Sequence, residues 1–267
     1  MQQDEALSWQ TGVWNRMSDV YIREIDERFA PVVAHMIKRT EIEPGDRILD
    51  IGSGTGSVAL EAGRHVGVRG SVRGIDISAQ MLAIARRRAA DAGLSNVSFV
   101  EGRAEEIPAD AREFDAICSS LCFQYVIDRA AAARECARVL KPGGRFVAAV
   151  WGGPDDTDIV RFQATAGRFA PSPPVEGVGP GALAEANPLV ADLRDAGIDA
   201  RVEEEVTMFE FPTFAAAWEA LAGVTTASLP PEEIAEAQKA VRELMWPDPD
   251  APRTFANKTQ FIVGVKT

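Results

Sequence analysis

Cysteine, histidine and basic side chains are all scarce in this chain, and each shortage excludes a class of function. Three cysteines, Cys118, Cys122 and Cys136, among 267 residues are too few and too clustered for a disulfide framework. The two histidines, His35 and His65, stand far apart with no cysteine nearby, so no zinc-ligand spacing exists and a metal-free protein is expected. Lys and Arg number 28 against 40 Asp and Glu, for a formal charge of −12. A face built to neutralise phosphates needs the opposite balance, so no nucleic-acid partner is expected. The same acidity argues against docking on anionic lipid. No long apolar run appears, and the opening MQQDEALSWQ lacks the basic-then-apolar layout of a secretion signal. No membrane association and a cytoplasmic location are therefore expected. With 46% hydrophobic residues the chain has ample material for a full-sized core, and a small molecule is the expected partner.

Residues 13–40 carry apolar side chains at helical spacing, with Pro31 starting or kinking a second segment. Strand and helix signals then alternate. RILDIG (47–52) reads as a strand, SVALEAGRHV (57–66) as a helix and SVRGIDIS (71–78) as a strand. AQMLAIARRRAADAG (79–93) is a helix, NVSFVEG (96–102) and FDAICSS (114–120) are strands, DRAAAARECARVLK (128–141) is a helix, and RFVAAVW (145–151) is a strand. These strands are continuous apolar runs, as expected where helices cover both sheet faces. The pattern predicts an α/β, doubly wound, mostly parallel Rossmann-like sheet with N-terminal helices. Beyond Trp151 the signals loosen. Residues 152–182, with PSPPVEGVGPG (171–181), read as a loop or lid. Helical material at 187–197, 213–222 and 231–246 and strands at 198–212 and 255–267 complete seven strands with helical lid insertions. One domain, 1–267, is the simplest organisation, with a helical cover (1–45), a core (46–151) and a capping part (152–267).

The informative residues are Asp50, Gly52, Gly54 and Gly56 in LDIGSGTGS. Glycines alternating between a strand and a helix let main-chain N–H groups and a helix N-terminus approach a ligand, although glycines at strand ends are also ordinary turn residues. The next strand ends in Asp76, where a carboxylate can hold a ribose diol. Ile77 and Met81 are then placed to flank an adenine ring. Asp76 can equally cap the helix beginning near Ser78, and Met81 can be plain core. The spacing G-x-G-x-G, with Asp50 ahead of it and no glycine at 57, departs from the dinucleotide fingerprint G-x-G-x-x-G. An ammonium-bearing nucleoside suits the extra acid better than a pyrophosphate does.

ILDIGSGTGSVAL resembles motif I of the class I S-adenosylmethionine (SAM)-dependent methyltransferases. GIDIS resembles their ribose-binding strand end, EGRAEEIP their adenine-side loop, FDAICSS their fourth strand, and CARVLKPGGRFVAAVW their closing helix, turn and strand. The look is that of the ubiquinone/menaquinone-methyltransferase-like group, over about residues 46–151. The resemblance implies that SAM is the cofactor and S-adenosylhomocysteine the product. It places Gly52, Gly54 and Gly56 in the cofactor turn, with Asp50 orienting the methionine ammonium. It also puts Asp76 on the ribose, and Ile77 and Met81 on adenine, with Arg103, Ala104 and Glu105 at the adenine edge. Ser119 would offer a main-chain carbonyl beside Ser120 and Leu121. Arg103 departs from the pattern, since the family commonly has Asp there and Arg accepts no hydrogen bond.

Methyl transfer from a sulfonium needs alignment more than a nucleophilic side chain. Relatives often carry a histidine after the fourth strand. Here Leu121-Cys122-Phe123-Gln124-Tyr125 stands instead, and Gln124 can position an acceptor but not take its proton. Tyr21 and His35 are further catalytic candidates from the N-terminal helices. Trp14, Tyr21, Phe123, Gln124 and Trp151 are candidate walls for the acceptor. Phe162, Phe169, Phe209, Phe211, Phe214 and Trp218 would supply an aromatic lid, part of it core. O- or C-methylation of a small organic acceptor by proximity is the favoured reading. The alternatives are a SAM-binding protein without methyl transfer and an NAD(P)-dependent oxidoreductase. Oligomeric state is left open by the sequence.

Overall fold

In the computed structural model, which describes residues 2–227 and 229–267, two helices precede the sheet: α1 (Gln2–Val20) and α2 (Ala30–Thr40). A π-helical turn, Tyr21–Ile25, follows α1, and Pro31 falls in the first turn of α2, where its missing N–H costs nothing. Then come β1 (Arg47–Ile51), α3 (Ser57–Val66), β2 (Ser71–Asp76), α4 (Ala79–Asp91), β3 (Val97–Glu101) and β4 (Phe114–Ser120). The Ser78 side chain caps α4 by accepting from the Met81 N–H at 3.1 Å.

Helix α5 (Arg129–Val139) begins at an Asp128 cap on the Ala131 N–H and stops earlier than its sequence suggests. Strand β5 (Leu140–Trp151) starts at once, because Leu140 pairs with Phe114 and the Pro142-Gly143-Gly144 stretch is absorbed as a register irregularity. The segment read as loop at 152–182 contains a helix, α6 (Asp158–Gly167), which buries Ile159, Phe162, Gln163 and Ala166. Its helical spacing is masked in the sequence by the Pro- and Gly-rich residues that follow. The last elements are α7 (Asn187–Asp195), β6 (Ile198–Phe211), α8 (Phe214–Leu221), the short α9 (Gly223–Thr226), α10 (Pro231–Met245) and β7 (Arg253–Lys266).

The seven strands run in the order β3-β2-β1-β4-β5-β7-β6. The first five are parallel; β7 is antiparallel to both β5 and β6. Chain order reverses between β1 and β4, and at that switch point the loops at the carboxyl ends of the strands part to leave a crevice. The expected α/β, mostly parallel doubly wound sheet is the observed one. Helix α6 and the helices between β6 and β7 pack an aromatic group against β7 as part of the main core. Phe162, Phe214, Trp246 and Phe255 pack with ring centroids 5.7–6.3 Å apart. Phe162, Phe211 and Phe214 are thus core rather than a lid over the crevice. Among the described residues no helix is long and apolar enough to cross a membrane.

Candidate functional site

The glycine turn hangs from the end of β1. Gly52 and Gly54 have φ of +68° and +51°, conformations that a side chain disfavours. A Cβ on Gly52 would also fall 2.4 Å from the Cys122 Sγ, so this position admits only glycine. Gly56 serves packing instead: its φ is +91°, and a Cβ there would meet Ala85 and Phe99 at 3.1 Å, away from the crevice. It stands in the turn as expected but does not line the cavity.

Asp76, at the tip of β2, accepts from the Gly54 N–H through Oδ2 and from the Ser78 N–H through Oδ1, both at 2.8 Å. Burial raises its carboxyl above the ordinary range, and those two N–H groups oppose the rise. Asp50, near the end of β1, is 1% exposed, and its carboxylate has no side-chain partner and no well-formed hydrogen bond, with only the main-chain N–H of Ala59 approaching it. The Ser53 Oγ close by is likewise buried and unpartnered. Burial pushes the Asp50 carboxyl up to about 8, opposed by the main-chain N–H of Ala59 and reinforced by the charge of Asp76. An orphaned buried carboxylate is costly, and one beneath a glycine turn fits a cationic ligand group.

Beside Gly52, Gly54 and Asp76 lies a cavity of about 310 Å³; Asp50 and Ser53 are buried behind its lining and are not part of it. Gly52, Gly54 and Asp76 form one wall, Ile77 and Met81 a second, and Arg103, Ala104 and Glu105 border the outer edge. The Arg103 guanidinium turns to Glu106 at 2.9 Å. Glu105 accepts from the N–H groups of Ile127 at 3.1 Å and Asp128 at 3.4 Å, so it braces the loop behind it. At the end of β4, Ser120, Leu121 and Cys122 line the space. Ser119 does not: it is fully buried, and its hydroxyl donates to the Ile51 carbonyl at 2.9 Å.

The inner end of the cavity is apolar, walled by Phe29, Trp151, Ile159 and Leu221. Two amides interrupt it. Gln124 accepts from the Trp151 N–H at 3.1 Å, and Gln163 donates to the Leu221 carbonyl at 3.1 Å, so both are held in fixed orientations. Trp14 and Tyr21 reach in from above. The Tyr21 hydroxyl has no protein partner, and burial, then the Asp26 carboxylate, holds its acidity far weaker than usual. Burial does the same to Tyr125 and to the Cys122 thiol. Among the described residues no histidine or lysine lines this cavity.

Two expected site residues lie elsewhere. Phe123 is wholly buried in the opposite core layer, edge-on to Phe146 at 5.7 Å, because the turn after β4 points it under the sheet. His35 is on the partly exposed face of α2, 3.7 Å from Glu205 and over the Phe261 ring at 6.1 Å. Sequence reading missed Asp26, which accepts from the Thr55 hydroxyl at 2.7 Å, the Ser57 hydroxyl and the Arg88 guanidinium at 2.8 Å. It also missed Asn15, which accepts from the Ser78 hydroxyl at 2.7 Å, and Gln10, whose amide donates to the Tyr125 carbonyl at 2.7 Å. These three polar residues fasten α1 and the π-helical turn across the mouth of the cavity. A lone polar residue in an amphipathic segment carries no sequence signal for such a role. Gln163 had none either, once its helix was read as loop.

Residues 48–144 match the family model described as a methyltransferase domain. The ubiquinone/menaquinone biosynthesis C-methyltransferase UbiE of Vibrio cholerae is 44% identical over 105 residues, covering 39% of this chain and 40% of that protein. The chain thus matches about two fifths of the length of these curated relatives. Among solved structures, YcgJ of Bacillus subtilis superposes with a TM-score of 0.66 and 24% identity, over 89% of this chain and 98% of that one. The [4+2]-cyclase SpnF superposes with a TM-score of 0.59 and 24% identity, over 88% and 80%. These two likenesses are likenesses of fold.

Proposed function

We propose that this chain, whose residues 48–144 carry a class I SAM-dependent methyltransferase domain of the ubiquinone/menaquinone type, is a cytoplasmic enzyme that methylates a small organic acceptor on oxygen or carbon. The observation that carries the reading is Asp50: a buried carboxylate that no side chain partners and that only the Ala59 main-chain N–H approaches, two residues before a glycine turn that Asp76 holds in place. That arrangement is costly in the empty protein and is relieved by an ammonium group. SAM supplies a sulfonium methyl group when bound. Asp50, behind the cavity lining, would orient its ammonium through water, Gly52 and Gly54 would line its methionine and sugar, and Asp76 would hold its ribose hydroxyls through the remaining carboxylate lone pairs. Ile77 and Met81 would flank adenine, with the main chain at 103–105 along its edge. Ser120 and Leu121 would border the methionine end, the neighbouring Ser119 being committed to the sheet.

The remaining residues exclude water and set orientation. Trp14, Tyr21 and Trp151 enclose the acceptor, Gln124 presents its amide N–H groups, and Tyr21 stays protonated and so donates. Among the described residues no histidine or lysine lines the cavity, and its Asp76 and Glu105 carboxylates are taken up by main-chain N–H groups, so the acceptor is one that ionises readily, such as a phenol, an enol or an activated carbon. The whole chain acts as one unit, with 1–45 as cover, 46–151 as the SAM-binding core and 152–267 as the acceptor cap.

A second reading rests on that same lack of a base: a protein that binds SAM and transfers no methyl group. Titration calorimetry with SAM and S-adenosylhomocysteine tests the binding, and micromolar affinity for both is expected. No heat with either ligand overturns both readings. Incubation with methyl-labelled SAM and a panel of phenols then separates them, with label in the acceptor expected.

A further inference from the structure

Strand β6 closes one edge of the sheet, and among the described residues no strand pairs with its outer side. Natural edge strands are kept short, or carry a bulge, a proline or a lysine that stops another strand from adding. β6 has none of these. It runs 14 residues in unbroken register with β7, and Pro212 comes only after its end. The main-chain groups left free follow from β7. The Lys258 N–H donates to the Asp156 carbonyl and its C=O accepts from the Gly152 N–H, both on the side of β5. Val206, opposite Lys258, therefore turns its own N–H and C=O to the open edge, and by alternation so do Val202, Glu204, Met208 and Glu210. Their side chains share one face of the sheet. On that face Ile198 and Ala200 are buried, whereas Val206 and Met208 are 63% and 55% exposed. The other face is taken: Phe209 packs on Phe29 at 5.3 Å and on Trp151 at 6.0 Å.

We infer that β6 pairs antiparallel with the β6 of a second copy of this chain about a two-fold axis at Val206, so that two sheets continue as one. Register decides the axis. Set at Val206, it opposes Val206 to its own copy, Met208 to Glu204 and Glu210 to Val202, with no like charges face to face. Moved to Thr207 it opposes Glu204 to Glu210 twice, and at Glu204 or Glu205 it sets a glutamate against itself. Moved to Met208 it brings Pro212, which has no N–H, into the ladder. The acidity of the edge is met within each chain: Arg39 holds Glu203 at 3.0 Å and Glu205 at 3.1 Å, and Lys258 holds Glu204 at 2.8 Å. The edge is thus complementary to itself, and this makes a second copy its occupant. The residues from Val202 to Glu210 whose main chain faces outward then exchange about ten hydrogen bonds across the axis. Each β6 has a single free edge, so the two-fold closes the assembly at two chains.

Sedimentation velocity of the full chain across the micromolar range should show a species of twice the chain mass. Val206→Glu sets two carboxylates against each other on the axis, and Val206→Lys two ammonium groups. Each alone should weaken association at least tenfold and leave S-adenosylhomocysteine affinity unchanged. An equimolar mixture of the two should dimerise again, which no role of Val206 inside one chain explains. In air-oxidised samples Val206→Cys should link as a disulfide dimer, because residues facing each other at such a pair have Cα atoms about 5.5 Å apart. Glu204→Cys, about 13 Å from its copy, should not link. A wild-type monomer throughout that range overturns the proposal, as does a dimer that Val206→Glu leaves intact. A dimer in which Val206→Cys fails to link overturns it too, and that linkage decides should the charged variants fail to fold by their melting transitions.

Discussion

The carboxylate of Asp76 and the main-chain N–H of Gly54, 22 residues apart in sequence, are joined by a 2.8 Å hydrogen bond. The residue assigned to the ribose therefore also holds the glycine turn in shape. Asp76→Ala should cost twice. Removing the acceptor strands the N–H groups of Gly54 and Ser78, which lowers the melting temperature. It also removes bonds to the ligand, weakening S-adenosylhomocysteine binding by a few kcal/mol at most, on the scale of about 1.5–3 kcal/mol for a bond to an ionised group. Asp76→Asn keeps one accepting oxygen and should fall between the two in thermal melts and in calorimetry. Unchanged affinity in Asp76→Ala would remove Asp76 from the ribose.

Asp50 should show the opposite sign on stability. Burial raises its carboxyl to about 8 in the folded chain, whereas an unfolded Asp titrates near about 4. Across that window the native state holds a proton that the unfolded state has released, so this group's contribution to stability falls as pH rises. Asp50→Asn cannot ionise and escapes the fall. The ligand-free variant should melt several degrees above wild type at pH 8, with the gap closing towards pH 4. Its affinity for S-adenosylhomocysteine should drop at least tenfold. In the wild type that affinity should grow with pH up to about 8, because the carboxyl must release its proton before it can face an ammonium. Calorimetry in buffers of different ionisation enthalpy counts that proton.

Tyr21 separates donation from proton abstraction. Its hydroxyl has no protein partner, and burial, followed by Asp26, keeps the phenol protonated well beyond its ordinary range. Tyr21→Phe leaves packing intact and should leave the melting temperature within a degree or two. It should lower kcat/KM roughly tenfold, the worth of one neutral hydrogen bond to the acceptor. The pH–rate profile of the wild type should carry no limb near pH 10 from this residue. A limb near pH 10 that vanishes in the variant would make Tyr21 a base instead.

Much of this molecule was readable in its sequence because local rules and global fold agree there. The apolar runs of β1, β2 and β4 and the glycine turn at 52–56 each carry their own signal, and together they predict the switch point and its crevice. Where a side chain goes after a turn is not a local property. Phe123 and Gln124 are neighbours, yet one is core beneath the sheet and the other borders the cavity, because the turn after β4 sends successive side chains opposite ways. His35 lies on α2, whose packed face follows Val32 and Met36, leaving His35 at the side beside Glu205. The helix α6 was hidden by its Pro- and Gly-rich neighbour, and Gln163 was hidden with it. Asp26 was invisible for a different reason: all its partners are at least 29 residues away.

Asp26 is where the cover meets the ligand turn, and its loss should act on ligand retention before it acts on chemistry. Its carboxylate takes the hydroxyls of Thr55 and Ser57 and the Arg88 guanidinium, so a single side chain fastens the π-helical turn to the glycine turn and to α4. In Asp26→Ala those hydroxyls regain water, and Arg88 keeps its bond to the Thr55 carbonyl at 2.7 Å, so the sheet and α4 are untouched. The cover loses its fastening to the glycine turn and keeps those of Gln10 and Asn15 and the ion pair of Arg23 with Glu219. The expected result is a faster release of S-adenosylhomocysteine in stopped-flow fluorescence, about ten- to thirtyfold for a loss near 1.4–2 kcal/mol. Cleavage by added protease within residues 1–29 should rise, while kcat at saturating ligand changes little. A global unfolding transition lowered in proportion to the affinity would show instead that Asp26 supports the whole fold, since a fastening of the cover alone leaves the strands and their core packing as they were.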